Sequence, residues 1–135
     1  MAESLRVLLV DDEPSIIKMV VRRLEVEGHR VAVAMDGQEA LKKIEANAPD
    51  VIVLDVMLPK LNGYEVCTRL KQDPRYRHIP IVMFSAKGQP ADEQIGMQCG
   101  AEAYLIKPFQ PQALLDEIRE AASRSRPAAP PPARS

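Results

Sequence analysis

Apolar positions along the chain alternate between two patterns. Five short blocks are strand-sized: RVLLV (6–10), RVAVA (30–34), VIVL (51–54), IVMF (81–84) and AYLI (103–106). Three hold no charged residue at all, the pattern of strands covered on both faces. Between the blocks the apolar residues return at helical spacing. Pro14 suits a first helical position, Ile17, Val20, Val21 and Leu24 form one stripe, and Gly28 marks the stop. Asp36-Gly37-Gln38-Glu39 reads as a capping box leading into Ala40, Leu41 and Ile44. Tyr64, Cys67 and Leu70 continue a third helix after Gly63, and Pro111 opens a last one that turns Leu114, Leu115, Ile118 and Ala122 inward. A fourth helix, about Pro90–Gln98, is interrupted by Gly96, which costs about 1 kcal/mol relative to alanine, so this element is expected to be the loosest. The alternation predicts an α/β fold: a five-stranded parallel sheet, right-handed crossovers and helices on both faces in three layers.

Composition narrows the possibilities. The 135 residues suit one domain, and 46% apolar content argues against disorder over most of the length. With 18 basic and 19 acidic residues the net charge is −1, which offers no electrostatic attraction to nucleic acid or an anionic membrane. No apolar run approaches the roughly 20 residues of a membrane span, and MAESLR has no signal core. Cys67 and Cys99 lack ligand-spaced neighbours and are read as small packing residues. A soluble, cytoplasmic protein is the expectation.

The residues just past the strand blocks carry the chemistry. Asp11, Asp12 and Glu13 follow the first, Asp55 the third, Ser85 the fourth, and Lys107-Pro108 the fifth. In open parallel sheets, ligands bind beyond the carboxyl ends of the strands where the strand order reverses. Each residue alone has an ordinary reading: an N-cap for Asp11 or Asp12, a turn for Asp55, a loop hydroxyl for Ser85, a snorkelling side chain for Lys107. Together they crowd three carboxylates, a hydroxyl and an ammonium at one edge. At about 5 Å and an effective dielectric near 20, each ionised pair repels by roughly 3 kcal/mol, and one lysine offsets only part of that. A divalent cation would relieve it, and oxygen-only ligands favour Mg2+, with Mn2+ possible, over zinc. A carboxylate beside such a cation, a hydroxyl and an ammonium is suited to phosphoryl transfer.

VLLVDDE (7–13), VIVLDVMLPKLNG (51–63), FSA (84–86) and YLIKPF (104–109) stand in the order and spacing of a known family. Over residues 5–124 the chain resembles the response-regulator receiver domains of two-component signalling. The resemblance implies a flavodoxin-like strand order, 2-1-3-4-5, and names Asp55 as the phospho-acceptor. Asp12 would bind Mg2+ directly and Asp11 through water, with Asp55 and the Met57 backbone carbonyl completing the protein ligands. Ser85 and Lys107 would hold phosphoryl oxygens, and Lys107-Pro108 would be a cis peptide. The donor would be a sensor histidine kinase or a phosphotransfer protein, and the listener an unknown downstream domain or protein, with no direct binding of nucleic acid or membrane by this chain. The domain would assist its own phosphorylation and dephosphorylation without being a turnover enzyme.

The resemblance also implies a relay in which Ser85 moves toward the new phosphate and Tyr104 swings from exposed to buried. The face formed by the fourth helix, fifth strand and fifth helix would then be the output surface. Winged-helix transcription regulators of this family dimerise there through acid–base pairs, whereas this chain has Ala103, Ala113 and Glu117 at the corresponding positions. The receiver-like unit is expected over 1–124, with 125–135 a proline-rich disordered tail or linker. Rival readings fit less well. A dehalogenase-like phosphatase needs a second aspartate where Met57 stands, and a nucleotide binder needs a glycine-rich loop where the chain has Asp11-Asp12-Glu13-Pro14. A scaffold that only binds partners would have no use for the intact acidic set.

Overall fold

The apolar blocks become strands β1 (Arg6–Val10), β2 (Arg30–Ala34), β3 (Val51–Asp55), β4 (Ile81–Ser85) and β5 (Ala103–Ile106) of a computed structural model that describes residues 4–85 and 90–125. Helices α1 (Pro14–Val26), α2 (Gly37–Ala46), α3 (Gly63–Gln72), α4 (Pro90–Gln98) and α5 (Pro111–Ser125) alternate with them. The strands form one parallel sheet in the order β2-β1-β3-β4-β5, as expected. β3 and β4 each run one residue beyond the apolar block, so the ladder itself ends on Asp55 and Ser85. Residues 1–3, residues 86–89 and the proline-rich segment from residue 126 lie outside the described residues.

Alternation along the strands separates two apolar cores. Leu8, Val10, Ile52, Leu54, Ile81 and Met83 pack on Ala40 and Ile44 of α2 and Val66 of α3. Val7, Leu9, Val53, Val82 and Phe84 pack on Leu24 of α1 and on Leu115 and Ile118 of α5. Burial of each such side chain contributes roughly 1.5–3 kcal/mol, which makes the central strands stiff supports. Among the described residues no helix is long and apolar enough to cross a membrane.

The helix ends correct the sequence reading at one place. Asp36 Oδ1 accepts the Glu39 N–H at 2.8 Å, but Glu39 Oε1 accepts from Met35, one residue before the cap, at 2.7 Å. The reciprocal box belongs instead to α3, where Asn62 and Glu65 exchange hydrogen bonds of 3.0 and 3.2 Å. Neither Asp11 nor Asp12 caps α1, whose N-cap residue is Glu13 and makes no side-chain cap bond.

Gly96 has a steric role in addition to its propensity cost. A Cβ built there would stand 2.8 Å from Tyr104 Cδ2 and 3.1 Å from Met83 Sδ, so α4 lies close against β5 through a notch that only glycine leaves. Gly96→Ala is therefore expected to destabilise the protein despite alanine's better helix propensity, by about 1–3 kcal/mol of overpacking. In a Tyr104→Ala background the same substitution should become stabilising, by up to about 1 kcal/mol. Denaturant unfolding of the four proteins in this cycle measures the change of sign.

Candidate functional site

All the predicted ionisable groups arise at the carboxyl edge of the sheet. Asp11 follows β1, and its N–H bonds to the Ala34 carbonyl at 3.1 Å, extending the β1–β2 ladder by one residue. Asp55 is the last residue of β3 and the register partner of Phe84. The chain turns away immediately afterwards: Leu58 N–H and Gly63 N–H both bond to the Val56 carbonyl, at 3.1 and 2.9 Å. Gly63 is needed here, because a Cβ would lie 2.4 Å from the Asp55 carbonyl oxygen and 2.8 Å from Val56 Cα. The first turn of α3 thus rests on the backbone of the acidic strand end.

Carboxylate oxygens of Asp11, Asp12 and Asp55 lie within 4.8 Å of one another. Asp11 and Asp55 are only 0% and 3% exposed, while Asp12 faces solvent. Lys107 is the counter-charge. Its Nζ stands 3.4 Å from Asp55 Oδ2, 3.7 Å from Asp11 Oδ2 and 3.5 Å from Glu13 Oε1, and it also lies 4.9 Å from the centre of the Phe84 ring. The Lys107 N–H bonds to the Ser85 carbonyl at 2.8 Å, and the Lys107-Pro108 peptide is cis.

Each buried carboxylate has one oxygen satisfied by the backbone. Glu13 N–H donates to Asp11 Oδ1 at 3.0 Å and Met57 N–H to Asp55 Oδ1 at 3.1 Å. Asp11 Oδ2 is buried with no hydrogen-bond partner. Burial pushes the Asp55 carboxyl up to about 6; the Met57 N–H works against this, the Asp11 charge adds to it, and Lys107 opposes it. For Lys107, burial favours the neutral amine, yet Asp55, Asp11 and Glu13 together hold its pKa above the ordinary lysine value.

The structure therefore gathers Asp11, Asp12, Asp55 and Lys107 at one point, with Met57 on the adjoining turn. Ser85 is buried at the end of β4, beside the Lys107 backbone. Tyr104 lies on β5 as the register partner of Met83, half-buried against Gly96 and away from the carboxylates. Glu13 and Phe84 had no role of their own in the sequence reading, and Gly63 stood there only as a residue shaping the loop after Asp55. The third acid of Asp11-Asp12-Glu13 and the aromatic before Ser85 were visible signals for the first two. The close approach at Gly63 was not.

Fold and edge together define a flavodoxin-like α/β protein with a cluster of three carboxylates that could hold a metal ion. The chain belongs to the response regulator receiver domain family, whose model matches residues 7–119. It is 46% identical over 125 residues to the alkaline phosphatase synthesis transcriptional regulatory protein PhoP of Bacillus subtilis, covering 93% of this chain and 51% of that one. Among solved structures, chemotaxis response regulator CheY4 of Vibrio cholerae matches with a TM-score of 0.82 and 36% identity, covering 88% of this chain and 99% of that one. The signal receiver domain of a signal transduction histidine kinase from Syntrophus aciditrophicus gives 0.85 and 28%, covering 91% and 93%. The chain spans about half the length of the curated relatives it matches.

The raised Asp55 pKa makes this buried carboxylate a source of instability in metal-free protein. Its folded value, about 6, exceeds the unfolded value of 3.8, so the neutral acid is favoured by folding. This contribution is fully present below pH 3.8 and is lost as pH rises through about 6. Asp55→Asn should accordingly raise stability at neutral pH by up to about 3 kcal/mol, with the gain vanishing near pH 4. Urea unfolding across that pH range in chelator-treated buffer gives the curve.

Proposed function

We propose that this domain is a signalling switch in which Asp55 accepts a phosphoryl group from a histidine-bearing donor, a sensor kinase or phosphotransfer protein. The observation that carries the reading is the cluster itself. The carboxylates of Asp11, Asp12 and Asp55 crowd together, one ammonium pairs with only two of them, and a buried Asp11 oxygen is left without a hydrogen bond. Charges 4.8 Å apart repel by about 3 kcal/mol at an effective dielectric near 20, and a hard divalent cation answers both the repulsion and the orphaned oxygen. Mg2+ would be held by Asp12, Asp55 and the Met57 carbonyl, and by Asp11 through water, and when bound it supplies positive charge toward the phosphoryl oxygens.

The protein's own groups do the rest. The Met57 N–H fixes Asp55 Oδ1, leaving Oδ2, the oxygen that faces Lys107, as the attacking atom. The Oδ2–P bond forms as the P–N bond to the donor imidazole breaks, and the electron pair returns to the imidazole nitrogen. With its carboxyl near 6, Asp55 is largely ionised at neutral pH while Lys107 stays protonated, so nucleophile and counter-charge coexist. Lys107 and the Ser85 hydroxyl then hold phosphoryl oxygens.

Transmission runs along β4. A shift at Ser85 moves the strand that carries Met83, and Met83 lines the Gly96 notch that receives Tyr104. Repacking of Tyr104 against α4 changes the α4–β5–α5 face, which is the surface offered to a downstream partner. The folded unit is read as 1–124, with 125–135 as tail or linker. A phosphorylation-independent scaffold is not favoured, because it would gain nothing from the repulsion at this edge.

Incubation with acetyl phosphate and Mg2+ should add the mass of one phosphoryl group, and Asp55→Asn should abolish the gain. Asp12→Asn should weaken Mg2+ binding about tenfold or more, the scale of a lost charged ligand. Intact-protein mass spectrometry and isothermal titration read these out, and a mass gain retained by the Asp55 variant would reassign the acceptor.

A further inference from the structure

The phosphoryl chemistry occupies one end of the sheet, and a second concave site lies at the other. Between edge strand β2, the start of β1 and the end of α2 opens a cavity of about 390 Å³. Leu8, Val31 and Ala32 form its apolar lining, and Arg6, Arg30 and Lys43 stand around it. The volume falls within the roughly 300–1,000 Å³ of small-molecule sites.

Arg6 and Arg30 are register partners on adjacent strands, and like charges placed side by side in a sheet are destabilising. Among the described residues, neither guanidinium has an ion pair. Arg6 donates to the neutral Asn47 Oδ1 at 2.6 Å, and the nearby Asp50 carboxylate is taken by the Arg6 backbone N–H at 2.8 Å. Lys43 adds a third positive charge, shared with Glu39 at 3.4 Å and donated to the Val33 carbonyl. The short side chains of Ala32 and Ala46 leave the space open that a larger strand residue would fill.

We propose that this cavity binds a small organic anion with an apolar body, a carboxylate or phosphate monoester on an aromatic or branched frame. The anionic head sits between the two guanidinium forks, whose planar donors match carboxylate and phosphate oxygens. The body lies on Leu8, Val31 and Ala32. None of these residues belongs to the acidic edge, so the site is independent of the phosphoryl reading.

Naphthoate titrated into the full chain and followed by amide NMR should give saturable shifts at Arg30, Val31, Ala32 and Asn47. Naphthalenemethanol, which keeps the body without the charge, and inorganic phosphate, which keeps the charge without the body, should each bind about tenfold more weakly or less. Arg30→Ala should weaken naphthoate by a similar factor. Ala32→Leu, which fills the cavity without changing charge, should abolish binding while the amide spectrum stays folded. Asp55→Asn should leave it unchanged. A naphthyl phosphate arm tells a phosphate ligand from a carboxylate one by which anion binds more tightly. Absent or scattered shifts, equal binding of the neutral alcohol, indifference to both pocket variants, or binding of an acidic peptide alone would overturn the assignment.

Discussion

The arrangement rests on electrostatic crowding held in place by a stiff frame. Carboxylates from the ends of two neighbouring strands, two of them nearly inaccessible to water, are kept within 4.8 Å of one another against their mutual repulsion. A flexible loop would relieve that repulsion by moving apart. Strands buried on both faces do not, because separating them would open two apolar cores at once. The same rigidity that stabilises the fold therefore preserves an unfavourable arrangement at its edge, and the site draws its appetite for positive charge from that conflict.

The frame also divides labour between the ends and faces of the sheet. β3 carries Asp55, and β4 delivers Ser85 while placing Met83 against α4 and Phe84 under the Lys107 ammonium. One strand thus touches the charged edge, the aromatic under the counter-charge and the notch that seats Tyr104. α4 is joined to this system through a glycine contact, so its position is set by the shape of two side chains as well as by apolar area. The opposite end of the sheet, where β1 and β2 begin, carries positive charge and an open cavity, and shares no side chain with the acidic edge.

Much of this was legible from residue order alone, for identifiable reasons. Short continuous apolar blocks and helix-period stripes are local signals, so the strands and helices emerged close to their final bounds. Asp11, Asp12, Asp55 and Lys107 could be placed together because strand ends in a parallel sheet share one edge. What escaped depended on packing between distant segments. The box at Asn62 and Glu65 was missed and Asp36–Glu39 over-read, because the direction of a glutamate side chain follows from how the preceding loop enters the helix. Gly96 read as a flaw until Tyr104 was seen against it, and Gly63 as punctuation until it met the Asp55 backbone. Cys67, which donates to the Cys99 carbonyl at 3.4 Å and has its thiol pushed up to about 12 chiefly by burial, packs as a small apolar side chain in the manner anticipated.

Lys107 is tethered at both ends: its amide is bonded to β4, and its ammonium is divided among three acids from two other segments. A head-group shared so evenly has no single deep well holding it. Altering the charge on one of its acids therefore redistributes its allegiance without uprooting the residue. The lysine works as a balance beam, whose tilt registers the charge state of the edge while its pivot stays fixed to the sheet.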